Sequence, residues 1–438
     1  MGITQALYTG VTGLSVMSDS MGVVANNIAN ANAKGFKFDR AEFGDLLSQD
    51  LSSSGSQLGR GARLSRVRTI HTQGGLAVTD RLTDMAVQGN GFFIVSNPVT
   101  DTGGGGGQFF TRVGAFNFDK DGYLAENQGG RLQGYMADAD QTLSTKLSNI
   151  RIATNSIPPN ATNKLLMNIN LDARIEVRTD EFDIANPEKT SDFANSIDIF
   201  DSHGTKHTMT TYFRRIEGDE GPTFEWFATV DGREVTDSDP EISDHQIARG
   251  IVRFNNMGLL LSEETIESNV NFSKGANPNQ VIEFDFGKNI GTEDGTGVGS
   301  STATAANSGT NFHSQNGYES GNIKSIRIEM DGKIKGYYTN GIQRTLAALA
   351  LATFENTDGL QKAGYNQFFS TLRSGAPRIG LPQTGTRGAT YSSTLEESNV
   401  DLAQQFVNMI VTQRGFQANS RSITTTDSMI EEVVNMKR

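Results

Sequence analysis

Few side chains in this sequence are spaced for chemistry. His203 and His207 stand four apart, a spacing that puts two metal ligands on one face of a helix. The residues around them, Asp201-Ser202-His203-Gly204, read as a turn, and no third ligand is near in sequence, so no metal site is expected. His71, His245 and His313 are scattered and define no Ser/His/Asp arrangement by spacing. GNGFF at 89–93 lacks the third Gly of a dinucleotide loop and opens a strand. GGGGG at 103–107 lacks the Lys and Ser/Thr of a phosphate loop. Asp119 and Asp121 sit in a turn without the further carboxylates of a Ca²⁺ loop. Trp226, the single tryptophan, is the one candidate platform for sugar stacking, should the middle of the chain be a ligand-binding β domain. The expectation is a protein with no catalytic, cofactor-binding or metal-ligating residues, and not an enzyme.

Composition narrows the class further. With 438 residues the chain exceeds one ordinary core, so several domains are expected. Its 48 glycines and 9 prolines suit many tight β-turns, because Gly takes positive φ without a steric penalty. Net charge is 38 − 50 = −12, which disfavours nucleic acid and anionic membrane as partners. There is no cysteine, which excludes disulfides, thiolate metal sites and cysteine nucleophiles. The N-terminus has neither a basic n-region nor a continuous apolar core, so no cleaved signal peptide is expected. No apolar run reaches the ~18 residues of a membrane span.

What remains is a pattern for assembly. Ile3, Leu7, Gly10, Leu14, Met17, Met21, Val24 and Ile28 alternate spacings of four and three, a heptad seam. At the other end Leu395, Leu402, Met409, Phe416, Ile423 and Ile430 recur every seven, broadened by Phe406, Ile410, Val433 and Val434. A long helix is expected from about 399 to 436, capped by Ser398-Asn399. The Asn26, Asn27, Asn30 and Asn32 cluster reads as a helix stop, and Gly35 opens a more extended segment. Between the ends the period changes to two. IVRF at 251–254, VIEFDF at 281–286 and IKSIRIEM at 323–330 read as strands. Asp-Gly at 121–122 and 331–332, and SHGT at 202–205, read as hairpin turns. The Gly/Ser/Thr/Asn tract 287–321 reads as a surface excursion or a returning linker.

The expected fold class is α+β multidomain, with paired N- and C-terminal coiled-coil helices and nested, mainly-β domains between them. The expected division is 1–28 with 396–438 as terminal helices, 29–71 as an extended linker segment, 72–150 with 322–395 as an inner β domain, and 151–321 as an outer β domain.

Four stretches then carry a resemblance: VVANNIANANAKGFK (23–37), TDMAVQGNGFFIV (83–95), TRVGAFNFDKDGYLAENQGGRLQGY (111–135) and ESNVDLAQQFVNMIVTQRGFQANSRSITTTDSMI (397–430). In this order they resemble the flagellar rod/hook axial family, although Ala33 stands where that family often has Thr. Asn26, Asn27, Asn30, Gly35 and Phe36 belong to its turn motif. The large insertion and the GYYTNG element at 336–341 are closer to hook-type than to the shorter distal-rod-type members, which remain the alternative. The resemblance implies a subunit that self-assembles into a curved helical tube, a universal joint passing motor torque to a filament. It implies export by the flagellar type III pathway to the cell exterior. The implied partners are copies of itself, the distal rod protein, the hook cap and the hook–filament junction proteins. A lysine–cysteine crosslink known in some relatives is excluded here by the absence of cysteine.

Overall fold

The structure is a computed structural model, and the residues it describes are 2–46, 49–50, 57–97, 107–138, 141–152, 156–218, 221–236, 244–290 and 299–436. The polyglycine run, apart from Gly107, and most of 47–56 lie outside them. The chain forms two compact units. The first comprises Met1–Thr154, Ser325–Tyr337 and Gln343–Arg438; the second comprises Asn155–Lys324 and Tyr338–Ile342.

The first unit begins with a helix, Gly2–Ala29, and ends with another, Leu402–Asn435. The C-terminal helix starts three residues later than expected, and its cap is Asp401, not Ser398-Asn399. The Asp401 carboxylate accepts from Ala403 N at 2.9 Å and Gln404 N at 3.2 Å, satisfying two donors that a helix start leaves orphaned. Leu395, expected on the helical seam, lies instead in the strand Thr394–Glu396, paired with Leu76–Val78. The seven-residue repeat therefore ran past the helix by coincidence of spacing.

Within 29–71 the described residues include two paired strands. Asp39–Asp45 pairs antiparallel with Ala62–Thr69, and both strands touch the N-terminal helix. The main sheet follows the order Ile323–Ile328, Lys333–Tyr338, Gln343–Leu349, Arg131–Ala137, Phe92–Ser96, Gln108–Thr111, Gln367–Phe369, Gln361–Gly364. Its core packs Phe92, Ile94, Phe110 and Phe368 with Ala350 and Ala352. Phe110 meets Phe354 edge-on at 4.8 Å between centroids, a favoured aromatic geometry. The Asp-Gly turns form as read: Leu124 pairs with Phe118 across one, and Glu329 N donates to Lys333 O across the other.

The second unit packs two sheets around one core. Five antiparallel strands follow in sequence order, from Phe193–Phe200 to Leu260–Ser268. The second sheet centres on Lys164–Asp172, whose alternate residues Leu165, Met167, Ile169 and Leu171 are buried, the period-two signature of a strand with one covered face. The tract 287–321 is not simply an excursion. Thr302–Thr304 and Gly309–Gln315 both pair with the central strand, because Thr and alternating side chains outweigh the low apolar content. Trp226 is fully buried against Phe284 and Phe286, so it offers no face to a sugar.

Candidate assembly surface and its anchorage

The two terminal helices of the first unit pack along each other, and glycines set how closely. Gly10 faces Ile423, Gly13 faces Asn419 and Gly415 faces Met17. A Cβ at Gly13 would lie 2.7 Å from Asn419 Nδ2, so a larger residue there would force the Asn419 side chain to shift. The helix propensity lost at such glycines is recovered as backbone proximity.

The N-terminal stripe is partly covered. Val24 is buried, and Leu7, Leu14, Met17, Met21 and Ile28 are half-buried; the side chain of Ile3 lies outside the described residues. Val16, off the predicted stripe, is buried too. The C-terminal helix departs from expectation. Met409, Ile423 and Ile430 are half-buried, but Leu402, Phe406 and Phe416 are 44%, 50% and 43% exposed. The most buried side chains on this helix are polar: Gln405, Thr412 and Thr426. Thr412 Oγ1 lies 3.4 Å from Ser20 Oγ across the pair. Gln405 Oε1 accepts from Asn27 Nδ2 at 3.2 Å. Within one protomer, then, the contact mixes half-buried apolar side chains with fully buried polar ones, while Leu402, Phe406, Val407, Ile410, Val411 and Phe416 are left exposed. A groove of about 580 Å³ runs between the two helices and the strand Asp39–Asp45, lined by Val24, Phe38, Ala41, Phe43 and Val411 among others.

The turn motif at the end of the N-terminal helix is resolved residue by residue. Asn27, fully buried, donates to Asp39 O at 2.7 Å and accepts from Asp39 N at 2.9 Å, so its amide acts as a short strand partner. Asn30 Nδ2 reaches back to Asn26 O at 2.9 Å. Gly35 has φ +67, and its N–H donates to Glu396 O at 2.8 Å. Phe36 is buried, with Lys362 Nζ 5.4 Å from its ring centre.

Next to this turn lies a cluster that spacing did not single out. Glu396 Oε1 accepts from Lys37 Nζ at 2.5 Å and from Gly74 N at 3.0 Å. Its Oε2 faces Arg112 Nη1 at 3.3 Å. Arg112 also donates to Val87 O at 3.1 Å and Gly89 O at 2.7 Å, and Lys37 to Thr72 O at 2.7 Å. The three side chains are 0%, 1% and 6% exposed for Glu396, Lys37 and Arg112. Burial draws the Lys37 and Arg112 pKa values down against the pull of Glu396. His71, edge-on to Phe92 and Phe368, is pushed down to about 4, first by burial and then by the Lys37 and Arg112 charges. The available signal was Lys37 lying between Phe36 and Phe38 and Arg112 following Phe109-Phe110-Thr111.

In the second unit His203 and His207 do not share a helix face. His203 is in the Asp201–Gly204 turn and His207 is on the strand Lys206–Ile216. His207 Nδ1 lies 2.6 Å from Glu234 Oε2, and its ring stacks on Phe272 at 4.0 Å. Among the described residues no cluster of three His, Cys, Asp or Glu is disposed to hold a metal ion.

Comparison with known proteins places this architecture. Residues 7–37 match the family described as "Flagella basal body rod protein", and 86–175 the "Flagellar hook protein FlgE/F/G D1 domain". Residues 170–318 match the "Flagellar basal body protein FlaE D2 domain", and 391–436 the "Flagellar basal body rod FlgEFG protein C-terminal". The flagellar hook protein FlgE of Treponema pallidum is 34% identical over 99% of this chain and 100% of its own length. That of Borreliella burgdorferi is 34% identical over 99% of each. That of Salmonella typhimurium is 30% identical over 98% of each. The crystal structure of Helicobacter pylori flagellar hook protein FlgE2 shares the fold at TM-score 0.52 and 16% identity, covering 73% of this chain and all of that one. The full-length correspondence, middle included, takes the chain out of the shorter rod-type alternative: it belongs to the flagellar hook protein family and is a structural subunit of the hook.

Proposed function

We propose that the subunit polymerises through its terminal helices into a curved tube that carries motor torque while bending. The observation that carries this reading is the division of faces on the C-terminal helix. Its most buried positions against the N-terminal helix are polar and closely approached, and Leu402, Phe406, Val407, Ile410, Val411 and Phe416 are left outside. A helix that is apolar beyond its packed stripe requires further burial. In a tube, neighbouring copies of the same helices supply it, as a coiled-coil inner layer. The seam is then Leu7, Leu14, Met17, Met21, Val24 and Ile28 with Met409, Ile423 and Ile430 within a subunit, and Leu402, Phe406 and Phe416 between subunits.

In the same reading, 72–150 with 322–395 forms the inner β domain and 151–321 the outer one. The protein performs no catalysis. It leaves the cell through the flagellar export apparatus without a cleaved signal peptide and adds beneath the hook cap. It meets the distal rod protein at one end and the hook–filament junction proteins at the other. Immunogold electron microscopy of purified flagellar basal structures, with antibody to 151–321, tests it. Label is expected on the short curved segment outside the basal body; label confined to the straight rod would overturn the placement.

A further inference from the structure

We propose that the Glu396 cluster is the mechanical coupler that passes torsion between the terminal helices and the β domain of each subunit. The inference rests on the torque-carrying reading above. The chain enters the β domain from the N-terminal helix near Lys37 and leaves it toward the C-terminal helix near Glu396. Any twisting load between helices and β domain crosses these strands. Glu396 ties four separate segments at that crossing: Lys37 on the incoming chain, Gly74 behind it, Arg112 on the main sheet, and its own outgoing strand. Arg112 extends the tie to Val87 and Gly89 carbonyls. One step further out, Asn399 accepts from Phe38 N at 2.8 Å and donates to Ile70 O at 2.9 Å, pinning the outgoing chain to both sides of the hairpin. Lys362 closes the other side with 2.7 and 2.6 Å bonds to the two Asp39 oxygens.

The chemistry suits stiffness more than stability. Buried ion pairs contribute little net folding energy, and apolar replacements of similar volume are often neutral or stabilising. Apolar contact, however, is non-directional and can slide. Charge-assisted hydrogen bonds are short and angle-dependent, so they resist shear. A cluster that fixes four segments with such bonds, where an apolar plug would be equally stable, holds an angle.

The test separates stiffness from folding. Lys37→Met, Arg112→Met and Glu396→Leu are combined in the full-length chain, and hooks are grown in cells lacking the native gene. Torsional stiffness is read from the elastic rebound of tethered cells, and thermal stability from melting of the purified subunit. The expected result is a melting temperature equal to or above wild type and a torsional stiffness reduced to half or less. Wild-type stiffness in these hooks overturns the proposal, and so does a stiffness loss that only parallels a loss of melting temperature. If the triple variant fails to assemble, Arg112→Lys decides alone, since it keeps the charge facing Glu396 but removes the guanidinium bonds to Val87 and Gly89 carbonyls; stiffness is expected to fall, and unchanged stiffness there overturns the proposal. Wild-type hooks that show no elastic rebound count against the torque reading itself, whereas stiff variant hooks count against the coupler only.

Discussion

At the scale of single residues, the first unit contains a carboxyl that works against its own stability at neutral pH. Glu126 is buried in the turn before Arg131–Ala137, with one side-chain bond, from Gln367 Nε2 at 2.6 Å. Burial outweighs that bond and pushes the carboxyl up to about 7 from a usual 4.5. A raised acid binds its proton more tightly when folded. Stability is therefore full below pH 4.5 and is lost as pH rises from there toward 7, by about 3 kcal/mol in total. Glu126→Gln removes the loss and keeps an acceptor for Gln367. Urea unfolding of the subunit should show the variant more stable than wild type at pH 8 by up to about 3 kcal/mol, and equal to it near pH 4. A difference independent of pH would refute the burial argument. Nothing in the sequence pointed to Glu126, since a carboxylate beside Asn127 and Gly129 reads as an ordinary solvated turn. Trp226 misled in the opposite direction: a lone tryptophan is compatible with a sugar platform or a core, and only its packing against Phe284 and Phe286 decides.

At the scale of elements, the heptad period was legible but its occupant was not. In the C-terminal helix two stripes repeat in sevens side by side: Leu402, Met409, Phe416 and Ile423, and Gln405, Thr412, Asn419 and Thr426. Hydrophobicity selects the first, yet the second supplies the most buried positions against the N-terminal helix, because Gly10, Gly13 and Gly415 bring the backbones too near for large side chains everywhere. Period reports that a stripe exists; it does not report whether an intramolecular or an intermolecular neighbour covers it. The two cases separate by mutation. Phe406→Asp with Phe416→Asp places charges where the free subunit meets water, so its melting temperature should stay near wild type while polymer is lost. Val24→Asp buries an unpaired charge inside the protomer and should cost several kcal/mol, or force the acid to remain protonated. Sedimentable polymer from the Phe406/Phe416 variant would show that this stripe is not an assembly face.

At the scale of the molecule, charge and core are partitioned together. Residues 155–324 and 338–342 carry 13 Lys+Arg against 27 Asp+Glu, so 13 − 27 = −14, and the remainder of the chain is left at +2 of the total −12. The second unit also has its own core of Trp226, Phe213, Phe224, Phe254 and Phe286, complete within its two sheets. Like charge on so acidic a unit would oppose tight association between copies of it in the proposed tube. That is the property required of surfaces that slide as a tube bends. The long segment of this unit begins and ends at one place, since Ile157 and Gly321 form an antiparallel bridge with Ile157 N donating to Gly321 O at 2.8 Å. Bridged residues lie roughly 5 Å apart at Cα, so a two-glycine link can replace 157–321 without straining the main sheet of the first unit. The shortened chain keeps both terminal helices, the Glu396 cluster and the aromatic core of the first unit. It should still polymerise, and, if sliding between copies of the second unit shapes the curve, electron microscopy should show straight tubes. Tubes of wild-type curvature from this deletion would place the origin of curvature in the first unit, and the acidic second unit would then need another role.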